Sequence, residues 1–136
     1  MSYLHKQGLE VFGIDRIARE IPYLIDANWL TFSFKPDCWG TIISHMAFSN
    51  HFIHHHLRVD GRPGDYAQKM IEVLRSLRLN GSLYYAPGLP FIESLLPSSK
   101  FSVYKRLINI GENQRSSQYP VDINKVLYLT KVLRIA

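Results

Sequence analysis

The sequence predicts an α/β fold with a mostly parallel sheet. Short apolar segments rich in Val, Ile, Leu, Tyr and Phe alternate with stretches of helical periodicity, the pattern of strand–helix–strand units. The C-terminal third adds two β-rich stretches separated by a polar segment, which read as an antiparallel pair. A parallel sheet of this kind binds ligands at the C-terminal ends of its strands.

Residues 1–7 read as the end of a helix, with Gly8 as its stop. Residues 9–15 (LEVFGID) supply a buried strand ending in Asp15. Residues 16–20 read as one or two helical turns, ended before Pro22. Residues 23–26 (YLID) form a second short strand, ending in Asp26. Residues 27–37 are a loop with aromatic anchors Trp29, Phe32 and Phe34 and a turn at Pro36-Asp37. Residues 39–44 (WGTIIS) form a third strand, and residues 45–57 begin as loop and continue as helix. Asp60-Gly61 and Pro63-Gly64 break the chain. Asp65 then caps a helix over residues 66–77, whose Met70, Ile71, Val73, Leu74 and Leu77 keep helical spacing. Asn80-Gly81 is a turn, residues 82–86 a fourth strand, and residues 91–95 a short helix. Residues 101–110 and 125–135 form the terminal pair, with residues 111–122 as the loop between them.

A chain of 136 residues suffices for one domain with a core, and 46% hydrophobic with 20% charged residues excludes a disordered chain. No apolar run approaches the roughly 18 residues of a membrane span, and no secretory leader pattern opens the chain. Cys38 is the single cysteine, which excludes an intramolecular disulfide. These features place the expectation in the cytoplasm. Net charge is +5 and the pI is 9.4. A basic surface attracts nucleic acid or other anions, but these basic residues are scattered and carry no recognition motif, so a solvated basic face is the simpler reading.

The order of these segments resembles the class I S-adenosylmethionine-dependent methyltransferases. In that family an acid at the end of the second strand holds the ribose hydroxyls, and Asp15 in FGID matches it. An acid after the third strand meets the adenine amine, and Asp26 with Ala27 in LIDA matches it. A carboxylate accepts hydrogen bonds from two hydroxyls or from an exocyclic amine. Residues 34–44 (FKPDCWGTIIS) resemble the family's loop and fourth strand, with Gly40 where an Asp is common. Residues 49–56 (SNHFIHHH) resemble the segment that faces the methyl group and its acceptor. Residues 74–87 (LRSLRLNGSLYYAP) resemble the helix, turn and fifth strand, with Leu79-Asn80-Gly81 where Pro-Gly-Gly is frequent. The resemblance implies a partial Rossmann-like sheet ending in an antiparallel hairpin, with S-adenosylmethionine as cofactor.

The family's first strand and its glycine-rich turn have no counterpart. Gly8 and Gly13 are isolated, and neither links a strand to a helix. The expected domain, residues 1–136, is therefore incomplete at its N-terminus. The absent strand is central in the family, between the second and fourth. Either the two halves of the sheet pair directly, or a second copy or another chain fills the gap, or the chain is a piece of a longer protein.

Several residues carry two readings. Asp15 and Asp26 are either nucleoside ligands or strand-end acids, Asp15 also a helix cap. His51, with Asn50, either faces the methyl acceptor, His51 as a general base, or lies on a polar helix face, where Asn50 caps a loop. His51 and His55 share a helix face, yet with Cys38 and His45 they fit no standard metal spacing, so no metal is expected. Trp29 and Trp39 read as core anchors. The function expected from the resemblance is a methyltransferase-like protein, weakly active or inactive alone, with an acceptor that the sequence does not name. The alternatives are a non-catalytic interaction domain and a small basic nucleic-acid binder. No membrane partner is expected, and a homodimer would cover the open strand edges.

Overall fold

A computed structural model describes residues 2–16, 22–45, 47–107 and 128–136. The fold is α/β, with one small parallel sheet and one mixed sheet, both open. The chain divides into two compact units, Met1–Ser33 and Phe34–Ala136.

In the first unit, helix α1 (Ser2–Lys6) ends where Gly8 takes φ +79°, and its N–H donates to His5 O at 2.9 Å. That left-handed stop suits glycine. Strands β1 (Gly13–Asp15) and β2 (Leu24–Asp26) pair in parallel, Gly13 opposite Leu24 and Asp15 opposite Asp26. The strand expected from residue 9 is thus only three residues long, and Leu9 and Phe12 are exposed. The reason lies in the partner. Tyr23 has φ +67°, which ends the extended run of β2, and residues 9–12 find no ladder partner among the described residues. The helical turns expected at residues 16–20 lie almost entirely outside the described residues.

In the second unit, β3 (Trp39–His45) pairs in parallel with β4 (Leu77–Ala86). The crossover between them holds α2 (Phe48–Leu57) and α3 (Pro63–Ser76). His45 belongs to the strand rather than to the loop expected there. Helix α3 begins earlier than expected. Pro63 occupies its first position, where the missing N–H costs nothing, and Asp65 lies inside the first turn rather than capping it. Its buried Tyr66, Met70, Val73 and Leu74 form one stripe, while Ile71 is exposed. Leu77 is already strand.

Asn80-Gly81 does not turn the chain. Trp39 pairs with Leu77 and Thr41 with Ser82, so two steps along β3 match five along β4, and residues 78–81 bulge out of a continuous strand. Asn80 takes φ +64° within the bulge. A Cβ on Gly81 would lie 2.8 Å from Arg78 O and 3.0 Å from Gly40 O.

A short helix α4 (Pro90–Glu93) follows, then β5 (Phe101–Leu107) and β6 (Tyr128–Arg134), which pair antiparallel as expected. The sheet order is β3-β4-β6-β5. The parts of the terminal pair expected at residues 108–110 and 125–127, and the loop at 111–122, lie outside the described residues. The core gathers on one sheet face, where Leu83, Tyr85, Val132 and Thr130 are buried with Phe52, Met70 and Leu74 of the helices. Each fully buried Leu or Val contributes about 1.5–3 kcal/mol. Arg134 holds the far end together, donating from one guanidinium nitrogen to Asp37 Oδ1, Leu77 O and Arg75 O. The strands β1 and β3 belong to separate sheets, and among the described residues the direct pairing weighed above does not occur. No helix among the described residues is long and apolar enough to cross a membrane.

Candidate functional site

In the first unit the two expected cofactor residues come together. Asp15 and Asp26 are register partners at the C-terminal ends of paired parallel strands. Neighbouring strands lie about 4.8 Å apart, so the two carboxylates start from adjacent points on one rim. Asp15 is half-buried and Asp26 exposed. Ala27 N–H donates to Asp15 O at 3.0 Å, which carries the ladder one step past Asp26. Behind the rim, the Tyr23 ring stacks on His5 at 4.0 Å and meets Phe12 edge-on at 6.5 Å. Gly13 N–H donates to Tyr23 O at 2.9 Å. These contacts fix where β1 and β2 begin, and hence where both acids end.

In the second unit Asn50 and His51 sit in the first turn of α2. Asn50 is half-buried and His51 exposed, while their neighbours Ser49, Phe52 and Ile53 face the core. Ala47 is the N-cap and has no side chain to bond the helix start, and Ser44 Oγ near the end of β3 accepts instead from the first helical N–H, that of Phe48, at 3.2 Å. Phe52 meets Phe48 of its own helix at 6.0 Å and anchors that helix against Tyr66 and Phe91, with ring centroids 5.7 and 5.3 Å away. Ser49 Oγ is buried and finds no hydrogen-bond partner among the described residues.

Further along the histidine run, His54 is exposed while His55 and His56 stack on aromatic rings. His55 stacks on Tyr66 at 4.6 Å, and its Nδ1 accepts from Arg62 N–H at 3.0 Å. His56 lies parallel to Phe91 at 4.1 Å. Among the described residues no three His, Cys, Asp or Glu side chains cluster closely enough to hold a metal ion.

Sequence reasoning missed a buried, multiply bonded carboxylate of the second unit. Glu93 is 6% exposed. Its Oε1 accepts from Tyr85 Oη (2.7 Å), Leu89 N–H (2.7 Å) and Thr130 Oγ1 (3.0 Å), and its Oε2 pairs with Lys105 Nζ at 2.8 Å. Burial pushes this carboxyl up, but the donors from Lys105, Tyr85, Leu89 and Thr130 together outweigh it and hold it below the usual carboxylate range. Burial pushes the Tyr85 phenol up, and the neighbouring Glu93 charge adds to that. With every donor satisfied, the cluster binds α4, β4, β5 and β6 into one piece rather than offering an open reactive group. One local signal points to it: an acid within a Pro-initiated short helix can reach back to the N-cap N–H, as Glu93 does to Leu89.

The first unit can therefore offer paired carboxylate acceptors at a strand-end rim, and the second an exposed imidazole beside a carboxamide on a helix start. No protein-family model matches this chain, and no curated protein sequence matches it.

Proposed function

We propose that this chain is a methyltransferase-like protein whose Asp15 and Asp26 hold the nucleoside of S-adenosylmethionine, with little or no methyl transfer by these 136 residues alone. The observation that carries the reading is the register pairing of the two acids at the ends of parallel strands. A ribose diol and an adenine amine present hydrogen-bond donors, and two adjacent carboxylates are suited to accept them. The parallel β3–β4 pair with its antiparallel extension through β6 and β5 supports the finer fold reading, a partial Rossmann-like sheet.

The fit covers the nucleoside only. Among the described residues Gly8 closes a helix and Gly13 opens a strand, so neither forms a strand–turn–helix that would present backbone amides to the remainder of the cofactor. When bound, the cofactor supplies an electrophilic methyl group. The protein's own part in this reading is to accept hydrogen bonds through Asp15 and Asp26, both in the first unit. Positioning dominates methyl transfer, which is why a half-held cofactor reacts slowly.

Titration calorimetry of the full chain with S-adenosylmethionine and S-adenosylhomocysteine tests this. The expected result is weak, millimolar binding that Asp15→Ala and Asp26→Ala each abolish. No heat at saturating ligand, or binding indifferent to both substitutions, overturns the reading.

A further inference from the structure

The strand register of the mixed sheet brings distant residues into one line. Ile43 pairs with Tyr84, Tyr84 with Lys131, and Lys131 with Tyr104, so these four side chains cross β3, β4, β6 and β5 in a single row. Side chains alternate between faces, so the row lies opposite the buried Leu83, Val132 and Tyr85. Ile43 is 68% exposed and Tyr104 54%. Tyr84 is half-buried, flanked along β4 by the small, buried Ser82 and Ala86. Lys131 Nζ lies 5.7 Å from the centroids of both Tyr84 and Tyr104, held between two rings. The next row toward β5's end adds exposed Arg106 and Leu129, and exposed His45 on β3.

Charge on the strands of this face has one sign among the described residues. The four strands contain no Asp or Glu, while they carry Arg78, Lys105, Arg106, Lys131 and Arg134. Lys105 is spent on Glu93 and Arg134 on Asp37, both away from this row. Lys131 and Arg106 remain on the face itself. Two copies of the protein placed face to face would bring like charges together, so the chemistry favours an anionic partner. Two tyrosine rings, on strands separated by one strand and so about 10 Å apart, favour a partner that also presents flat π surfaces.

We propose that this face binds single-stranded nucleic acid, with bases stacking on Tyr84 and Tyr104 and the intervening phosphates meeting Lys131 and Arg106. A strand carries both required features at short repeat, a π face on every base and an anion on every linkage. An acidic peptide lacks the first, and a lipid surface lacks the discrete stacking partners. The inference is independent of the nucleoside reading, which rests on the first unit alone.

Fluorescence anisotropy of the full chain with a labelled 15-nucleotide oligo-dT, over a salt series, tests it. Tyr104→Ala is expected to weaken binding about tenfold, and Tyr104→Phe to leave it unchanged, because stacking needs the ring and not the hydroxyl. Lys131→Gln is expected to weaken binding and to reduce the salt slope by about 0.7. If Tyr104→Ala unfolds, as circular dichroism would show, Tyr104→Leu carries the same expectation. No binding at low salt overturns the proposal. So do equal affinity for polyglutamate or anionic vesicles, indifference to Tyr104, and a dimer by light scattering that Tyr104→Ala dissolves.

Discussion

Tyr85 donates its phenolic hydrogen to Glu93 Oε1 at 2.7 Å, and the same oxygen accepts from Thr130 at 3.0 Å. Through that one carboxylate oxygen the end of β4, the helix after it and the last strand share a single buried anchor. Glu93→Ala orphans a buried phenol, a buried hydroxyl and a backbone N–H, and it should lower stability by about 1–3 kcal/mol. Urea denaturation of the two proteins measures this, and an unchanged midpoint would show that water replaces the carboxylate without cost.

The same group makes stability depend on pH. The folded Glu93 carboxyl is held below its unfolded value of about 4.3, so the folded state favours the charged form. Its contribution is fully present above that value and is lost as pH falls through the folded one. Melting temperature should therefore fall on acidification below about pH 4.3, and Glu93→Gln should flatten that part of the profile. A profile identical in the variant would remove Glu93 as the cause.

The bulge in β4 separates two glycines. A Cβ on Gly81 meets backbone oxygens of Arg78, Gly40 and Trp39 at 2.8–3.1 Å, and backbone cannot swing aside as a side chain can. One on Gly40 meets nothing within 4 Å. Gly81→Ala should cost about 1–3 kcal/mol, whereas Gly40→Ala should be close to neutral. Thermal melts of both variants decide it, and equal melting temperatures would contradict the packing seen here.

Gly64 lies in the first turn of α3, exposed, with open space where its Cβ would be. Gly64→Ala should stabilise the protein by about 0.4–1 kcal/mol, by narrowing the unfolded ensemble. A lower urea midpoint for the variant would count against the helical backbone assigned there.

At the strand-end rim, Asp15→Ala and Asp26→Ala should each reduce affinity for S-adenosylhomocysteine by about 1–3 kcal/mol. Saturation-transfer NMR reads this at the weak affinities expected, and an undiminished signal in both variants would dissociate the acids from the nucleoside.

Much of this was legible in the sequence wherever the determinants are local. The stripe of α3, the strand at Trp39, the stop at Gly8 and the terminal antiparallel pair all follow from periodicity and turn chemistry. The two acids were legible because each closes a short apolar run. Errors arose where a partner decides the outcome. Residues 9–12 have the composition of a strand, but among the described residues no strand pairs with them. Asn80 takes the left-handed conformation expected of an Asn-Gly turn, yet its flanks both pair with β3, so the chain bulges and runs on. Asp65 was read as a cap because Pro63 two positions earlier looked like punctuation rather than a helix start. The Glu93 anchor joins residues 85, 93 and 130, and the tyrosine–lysine row joins 43, 84, 131 and 104. Neither is visible before the register is known.

The sheet order has a consequence for synthesis. β6, the last of these strands in the chain, lies between β4 and β5. While a ribosome is still translating residues 128–134, β4 has β3 on one side and an open row of amides and carbonyls on the other. β5 precedes it in the chain, yet among the described residues β5 pairs with β6 alone and so has no neighbour until β6 is in place. Leu83 and Tyr85 stay without their cross-strand partners Val132 and Thr130 through that interval. The mixed sheet therefore closes from the middle, in a late step that waits for residues 128–134, and the nascent chain depends until then on whatever shields that gap.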